Sequence, residues 1–392
     1  MPDGENRKLR LGVAGLGRAF TVMLPALARD PRIVLAGAAE PRAEPRVRFA
    51  AEFSAPAHET IEALCADASI DAVYIATPHQ HHAAHAQIAA QHGKHLLIEK
   101  PMALTLDDCA AMIEAARKAG VQLVVGHSHS FDAPIARALA LIESGEFGRV
   151  RMITALNYTD FLYRPRRPEE LDSTKGGGAV FNQAAHQVDI VRLLGGGRVA
   201  TVRAATGAWD RQRPTEGAYA ALLTFEDGAF ATLGYNGYGH FDSDEFMDWT
   251  SEMGRAKSPG MTARHAKSAN AEEIVRKYER SYGGAAYQAA PDSGLAHQHF
   301  GMVVVSCEHA DLRPLPTGVM IYRDGAARLD PLPPPRIPRA EVVDEFYNAV
   351  VHGIAPLHDG AWAMATQEVI LAMLRSAREG GDVRLRHQVG LR

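Results

Sequence analysis

Gly15 and Gly17 stand two residues apart at the end of an apolar run, in the string Gly12-Val13-Ala14-Gly15-Leu16-Gly17-Arg18-Ala19-Phe20. A strand followed by Gly-x-Gly and a helix is a phosphate-binding turn. The first glycine permits the tight turn and the second lets a pyrophosphate approach the backbone. The first helical residues, Arg18, Ala19 and Phe20, then offer free N–H groups at a positive dipole end. Phe20 stands where a G-x-G-x-x-G motif carries its third small residue, a departure that bears on helix–strand packing. Glu40 ends the second apolar run, roughly 20 residues further on, where a carboxylate can accept hydrogen bonds from both hydroxyls of an adenosine ribose. It would repel a 2′-phosphate, which favours NAD. Arg42 could instead grip that phosphate, which leaves NADP open. His79, His81, His82 and His85 form a cluster, and His81 and His85 have the i, i+4 spacing of helical metal ligands. No cysteine or carboxylate sits among them, so they read as pocket lining and no metal is expected. His127 and His129, with period-2 spacing after the fifth run, read as a cleft floor or as an ordinary strand end. Asn182 and His186 are four apart and would share a helix face. An imidazole there can take a hydroxyl proton near neutral pH. Arg164, Arg166 and Arg167 lie beside Tyr158, Phe161 and Tyr163. Guanidinium forks bind carboxylates and rings flank a planar substrate. The same loop carries Glu169, Glu170 and Asp172, which could equally neutralise it.

Such residues need a scaffold that delivers strand ends to one edge. Apolar runs at Leu9–Ala14, Ile33–Ala39, 72–76, His95–Ile98 and 122–125 alternate with helical patterns such as 61–66 and Leu106–Ala119. Runs apolar on both faces and separated by helices predict a parallel sheet covered on both sides, a doubly wound α/β fold. Ligands then bind outside the carboxyl ends of its strands. From residue 150 the runs alternate with turns instead. Ala218–Phe225, then Glu226-Asp227-Gly228, then 229–235 reads as an antiparallel hairpin. With 392 residues the chain suits two or three domains of about 150 residues each. Its 42 basic and 46 acidic residues leave a net charge of −4, which argues against a nucleic-acid partner. Cys65, Cys109 and Cys307 are scattered with no CxxC pair, so neither a zinc ribbon nor a disulfide framework is readable. The polar first ten residues and the lack of a run of about 18 apolar residues predict no signal peptide, no membrane span and a cytoplasmic protein.

The third and fourth strands close in Ala76-Thr77-Pro78-His79-Gln80-His81-His82 and Glu99-Lys100-Pro101. With the glycine turn, these resemble the Gfo/Idh/MocA oxidoreductase family, whose patterns are A-T-P-N-x-x-H and E-K-P. His79 replaces the Asn. Downstream, Gly176-Gly177-Gly178-Ala179-Val180-Phe181-Asn182-Gln183-Ala184-Ala185-His186-Gln187-Val188-Asp189 resembles G-G-G-x-x-x-D-x-G-x-H-x-x-D. Glu345-Phe346 through Gly353 and Pro356 resembles the family's closing helix. The resemblance spans nearly the whole chain, with 254–300 the least familiar stretch. It implies a Rossmann domain at 1–126 and, at 127–392, an α/β domain with a large open, mostly antiparallel sheet, 254–300 being an inserted loop region. It also implies a homodimer or homotetramer through that sheet. Thr77, Pro78, His79, His82, Glu99 and Lys100 become cofactor contacts. Lys100 becomes the catalytic lysine and His186 the catalytic histidine, with Asn182 in the place of the usual Asp. A lysine starts near pKa ~10.4 and is lowered by burial and a nearby nicotinamide cation. Lys100 is then either the base or a charged partner of the alkoxide. Asn182 can orient but adds no charge.

Within the family, the opening strand and turn, the Arg-Pro-Arg-Arg-Pro loop and residues 305–314 resemble the members that oxidise phthalate 4,5-cis-dihydrodiol. That implies an anionic cyclic substrate, held by His127, Tyr163, Arg164, Arg166, Arg167, Asn182 and His186, and oxidised to 4,5-dihydroxyphthalate. Aromatisation of the ring would drive hydride transfer to NAD or NADP, and a weaker base would then suffice. The excursion at 254–300 carries His297 and His299 and reads as a cleft cover, a subunit contact or a surface loop. Competing readings keep the fold but take a sugar, inositol or sugar acid, or a glycoside with hydride shuttled internally. A non-catalytic NAD(P)-binding regulator is the alternative from another class, and retention of both Lys100 and His186 counts against it.

Overall fold

The early apolar runs become parallel strands. The computed structural model describes residues 7–260, 270–289 and 296–391, and the chain divides into two compact units. In the first, β1 (Leu9–Ala14), β2 (Ile33–Ala39), β3 (Ala57–His58), β4 (Ala72–Ile75), β5 (His95–Ile98) and β6 (Leu123–Val125) form one sheet. Its order is β3-β2-β1-β4-β5-β6 and every pairing is parallel. All four residues of β4 are buried, as expected of a strand covered on both faces. Two of the intervening helices, Ile61–Cys65 and Leu106–Ala119, start at a hydroxyl cap. Thr60 accepts from the Ala63 N–H and Thr105 from the Asp108 N–H. Gly120, at φ 66°, ends the helix Leu106–Ala119 in the left-handed conformation. Ile75, Leu96, Ile98, Met112 and Val125 pack in one core cluster, each fully buried chain worth about 1.5–3 kcal/mol. Strand order reverses between β1 and β4, so their carboxyl ends open the crevice at which such folds bind nucleotides.

The division differs from the expected 1–126 and 127–392. The continuous part ends at His127, but Asn270–Asp292 and Ile337–Met364 also belong to this unit. Helix Ala340–Val351 is fixed by Arg32, which pairs with Asp30 and Asp344 and lies 4.9 Å over the Tyr347 ring. The Tyr347 hydroxyl donates to the Arg7 carbonyl at 2.6 Å.

The second unit is built on nine strands: β7 (Val150–Tyr158), β8 (Val199–Gly207), β9 (Ala218–Phe225), β10 (Phe230–Asn236), β11 (Met302–Cys307), β12 (Asp311–Leu315), β13 (Gly318–Arg323), β14 (Ala326–Pro331) and β15 (Val383–Arg384). Their order is β14-β13-β12-β11-β7-β10-β9-β8-β15. Only β7 and β10 run parallel; the other pairings are antiparallel, and the β9–β10 hairpin forms as read. Burial alternates along β7, β9 and β10, and the helices Ala133–Glu143 and Ala185–Leu194 pack on the sheet. Of the 254–300 region, residues 270–279 form a helix. Residues 261–269 and 290–295 lie outside the described residues. Among the described residues no helix is long and apolar enough to cross a membrane.

Candidate functional site

In the first unit, the turn after β1 is built for an anion. Gly15 has φ 92°, and a Cβ there would stand 2.9 Å from the Ala76 carbonyl oxygen. Only glycine lets the two strand ends approach so closely. Gly17 caps the helix Arg18–Arg29 without a side chain, and a Cβ on it would meet nothing within 4 Å. The helix's first N–H groups therefore face room that a pyrophosphate fits. Arg18 is exposed and Phe20 fully buried.

Glu40 closes this turn from the end of β2. One carboxylate oxygen accepts from the Leu16 N–H at 2.9 Å, and the other from the Arg42 N–H at 3.1 Å and Nε at 2.7 Å. Burial pushes the Glu40 carboxyl upward, but Arg42's bonds and charge, with the two backbone N–H groups, hold it below the ordinary range. The carboxylate is thus ionised and fixed beside the glycine turn.

The strand-end motifs of β4 and β5 are tied to one another. His82 is 1% exposed, with Nε2 2.9 Å from the Thr77 carbonyl and Nδ1 3.1 Å from the Pro101 carbonyl. Burial draws its pKa down to about 4 against the pull of those carbonyls, so the ring is neutral. Thr77 also bonds His85 at 3.1 Å, and His81 stacks on His85. Glu99 is buried and accepts from the Tyr74 hydroxyl at 2.5 Å; burial raises it despite that bond. His82 and Glu99 therefore brace the loops that carry Thr77, Pro78, His79 and Lys100. Lys100 and His79 are half-buried, and His127 is buried after β6.

The second unit places His186 in a different setting. Gly176 and Gly178 both have positive φ, and the buried Glu216 carboxylate accepts from the Val180 N–H at 3.2 Å behind them. From this turn a π-helical stretch, Val180–Ala184, runs into the helix Ala185–Leu194. Asn182 donates to the Gly178 carbonyl at 2.8 Å and the Gly176 carbonyl at 3.4 Å. Its amide holds the glycine turn closed. His186 lies edge-on to His129, ring centroids 4.8 Å apart, and 4.9 Å from Phe300. His129 Nδ1 donates to Asp132 at 2.6 Å, and its Nε2 faces Glu252 at 3.6 Å. Burial favours a neutral ring, yet Asp132 and then Glu252 pull the His129 imidazole above its ordinary value.

Glu252 also joins the arginine loop to this cluster. Arg164 reaches it at 3.7 Å and Asp160 at 2.9 Å. Arg166 lies 3.7 Å over the Phe161 ring and donates to the Phe161 carbonyl at 2.6 Å. Lost hydration draws its guanidinium down to about 10, still cationic at neutral pH. Arg167 pairs with Glu169 and Glu170 at 3.4 Å each, and the Tyr163 hydroxyl donates to Asp210 at 2.8 Å. Tyr235 stacks 6.2 Å from Phe300 and lies edge-on to Phe161. This unit thus gathers His186, Arg164 and Arg166 around aromatic rings. Asp132, Glu252, Tyr235 and Phe300 were not singled out from the sequence. Glu252 and Phe300 sit far along the chain in or beside its least patterned stretch, and no local spacing ties them to His129. His297 and His299 point their Nε2 atoms at the Pro333 and Thr250 carbonyls, 2.8 Å each. Those bonds give them anchoring roles in the loops.

Comparison with known proteins bears on both units. A family model described as the oxidoreductase family's NAD-binding Rossmann fold, GFO_IDH_MocA, matches residues 9–127, and the model of the GFO/IDH/MocA C-terminal domain matches 135–248. A curated relative from Comamonas testosteroni, 1-carboxy-3-chloro-3,4-dihydroxycyclo hexa-1,5-diene dehydrogenase, is 46% identical over 98% of this chain and 97% of its own. A solved structure from Bordetella bronchiseptica RB50 has a TM-score of 0.90 at 43% identity, covering 96% of this chain and 100% of that one. Aldose-aldose oxidoreductase from Caulobacter crescentus, with a TM-score of 0.74 at 23% identity over 97% and 100% of the two chains, shares the fold. The two family models and the full-length relative settle the family: the chain belongs to the Gfo/Idh/MocA family of NAD(P)-dependent oxidoreductases.

Proposed function

We propose that this enzyme oxidises a carboxylated cyclohexadiene cis-diol to the corresponding dihydroxyarene, with phthalate 4,5-cis-dihydrodiol as the substrate. The observation that carries this reading is the pairing of cationic Arg164 and Arg166 with the rings of Phe161, Tyr235 and Phe300 beside His186. A neutral sugar needs no guanidinium, whereas a ring carboxylate does. The Comamonas relative, whose name specifies a carboxylated, chlorinated dihydroxycyclohexadiene, supports the same class.

A nicotinamide, when bound, would supply the acceptor for the hydride that leaves the carbinol carbon. Gly15, Gly17, Glu40 and Arg42 would hold the dinucleotide, with NAD the favoured form because an ionised Glu40 repels a 2′-phosphate. His186 offers an imidazole suited to take the hydroxyl proton near neutral pH, and Lys100 is the lysine that the Glu99-Lys100-Pro101 resemblance assigns to proton handling. Arg164 and Arg166 hold the carboxylates, and the aromatic rings flank the diene. The ketone left by hydride loss enolises to an aromatic diol, which makes the oxidation run forward.

The test is nicotinamide absorbance on adding phthalate 4,5-cis-dihydrodiol, a monocarboxylated cis-diol, or myo-inositol, with NAD+ and NADP+ separately. A rise with a carboxylated diol, fastest with NAD+ and the phthalate compound, is expected. A response to the monocarboxylate alone moves the substrate to the relative's class. A response to inositol alone overturns the diol reading.

A further inference from the structure

The dinucleotide unit is completed by residues that arrive late in the chain. Gly283, at φ 83°, brings its backbone against the helix Ala43–Phe53; a Cβ there would stand 2.8 Å from the Pro45 Cα. Tyr282 is fully buried, edge-on to Phe20 at 5.2 Å, and its hydroxyl donates to Glu52 at 2.9 Å. Arg48 lies over the rings of both Tyr282 and Tyr287, at 5.1 and 4.7 Å. The ring of Phe20, in the place of the motif's third small residue, is thus the seat on which this segment docks. One turn before Tyr282, the ring of Tyr278 lies 4.8 Å from the guanidinium carbon of Arg42. That guanidinium is the one forked onto Glu40.

We propose that Tyr278 is a cofactor-specificity residue: by holding Arg42 on Glu40, it makes the adenosine end of the site select NAD over NADP. A 2′-phosphate beside the Glu40 carboxylate is repelled unless Arg42 leaves Glu40 to neutralise it. Leaving breaks charge-assisted bonds from two guanidinium nitrogens and removes the cation from the ring. A ribose without the extra phosphate brings no negative charge to Glu40, so it does not require the Arg42 cation to leave the carboxylate. The segment 270–289 therefore sets the cost of admitting the extra phosphate. This deepens the cofactor reading above and rests on it, but not on the identity of the diol.

Calorimetric titration of the full-length protein with NADH and NADPH tests it without any substrate. Wild type is expected to bind NADH more tightly. Tyr278→Ala should narrow the NADPH-to-NADH ratio of Kd about two- to fivefold, the worth of a cation over an exposed ring, through tighter NADPH binding. Tyr278→Phe keeps the ring and should keep the wild-type ratio. On an Arg42→Ala background, Tyr278→Ala should leave the ratio unmoved. An equal loss of affinity for both cofactors would assign the ring to the adenosine itself and overturn the proposal. So would an unchanged ratio at an unchanged melting temperature, or a wild type that prefers NADPH. Binding of neither cofactor would overturn the cofactor reading as a whole.

Discussion

Three adjacent arginines meet three different fates. Arg167 is neutralised by its own loop, at Glu169 and Glu170. Arg164 spans Asp160 and Glu252, and Arg166 is stacked on Phe161 with its charge retained. A substrate carboxylate can compete with Glu252 for Arg164 at 3.7 Å, but gains little from Arg167. A hydrogen bond to a charged group is worth about 1.5–3 kcal/mol, which is roughly tenfold to a hundredfold in binding. Arg164→Ala and Arg166→Ala should therefore each raise KM for a carboxylated diol by roughly tenfold or more, with kcat less affected. Arg167→Ala should move it by less than about twofold. Steady-state kinetics of the three variants check this, and equal effects on all three would remove the loop's selective role. The sequence located the three arginines but could not rank them, because Glu252 lies far outside the loop. Asn182 shows the same limit: its position was legible, but its task, donating to two glycine carbonyls, depends on a turn conformation. An Asp there would set a carboxylate oxygen against those carbonyls.

Between strand ends, His82 acts as a strut. Its ring nitrogens lie near the carbonyl oxygens of Thr77 after β4 and of Pro101 after β5, and the neutral ring donates its one N–H to one of the two. Burial nevertheless holds its pKa at about 4, against an unfolded value of ~6.5. Between those limits the folded state carries a neutral ring while the unfolded chain binds a proton. This contribution to stability is present above the unfolded value and is lost as pH falls toward the folded one. From pH 7 to pH 5 it amounts to about 2 kcal/mol, several degrees in the melting of this unit. Wild type should therefore lose more melting temperature over that interval than His82→Gln, which cannot titrate. Parallel slopes would show that His82 is not the buried neutral strut described. The strands flanking these loops were legible because parallel strands are apolar on both faces: β1, β2 and β5 fall on the anticipated runs. The strut itself was not, since its partners are backbone carbonyls, which no side-chain pattern announces.

The distribution of the chain between its two units was the least legible feature. An amphipathic helix shows which of its faces is buried but not which body it joins. The segments Asn270–Asp292 and Ile337–Met364 return to the first unit through Tyr282 on Phe20 and Arg32 on Asp344. Those contacts link residues hundreds of positions apart. The nine-stranded sheet raises a question of the same scale. Its alternating burial leaves one set of side chains half-exposed. Register places Arg203 beside Leu222, Leu222 beside Thr232, Thr232 beside Thr154 and Thr154 beside Val304. It also places Met320 between Arg313 and Leu329. Leu222 and Phe230 are 42% and 40% exposed, and Tyr322 and Leu329 nearly as much. A broad patch carrying several large apolar side chains marks an interaction surface more often than a solvated one. A second copy meeting it face to face needs about 800 Å² from each partner for a stable pair. We propose that copies of this chain associate through this face into a homodimer or homotetramer. Sedimentation at micromolar concentration should then show no monomer for wild type. Leu222→Glu with Leu329→Glu should shift the protein toward monomer, because each carboxylate would have to lose water at the contact. Both positions are on the solvent side of the sheet, so the variant should keep its circular dichroism and its NADH affinity. A monomeric wild type, or a double variant with unchanged mass, would assign the exposed face to another role.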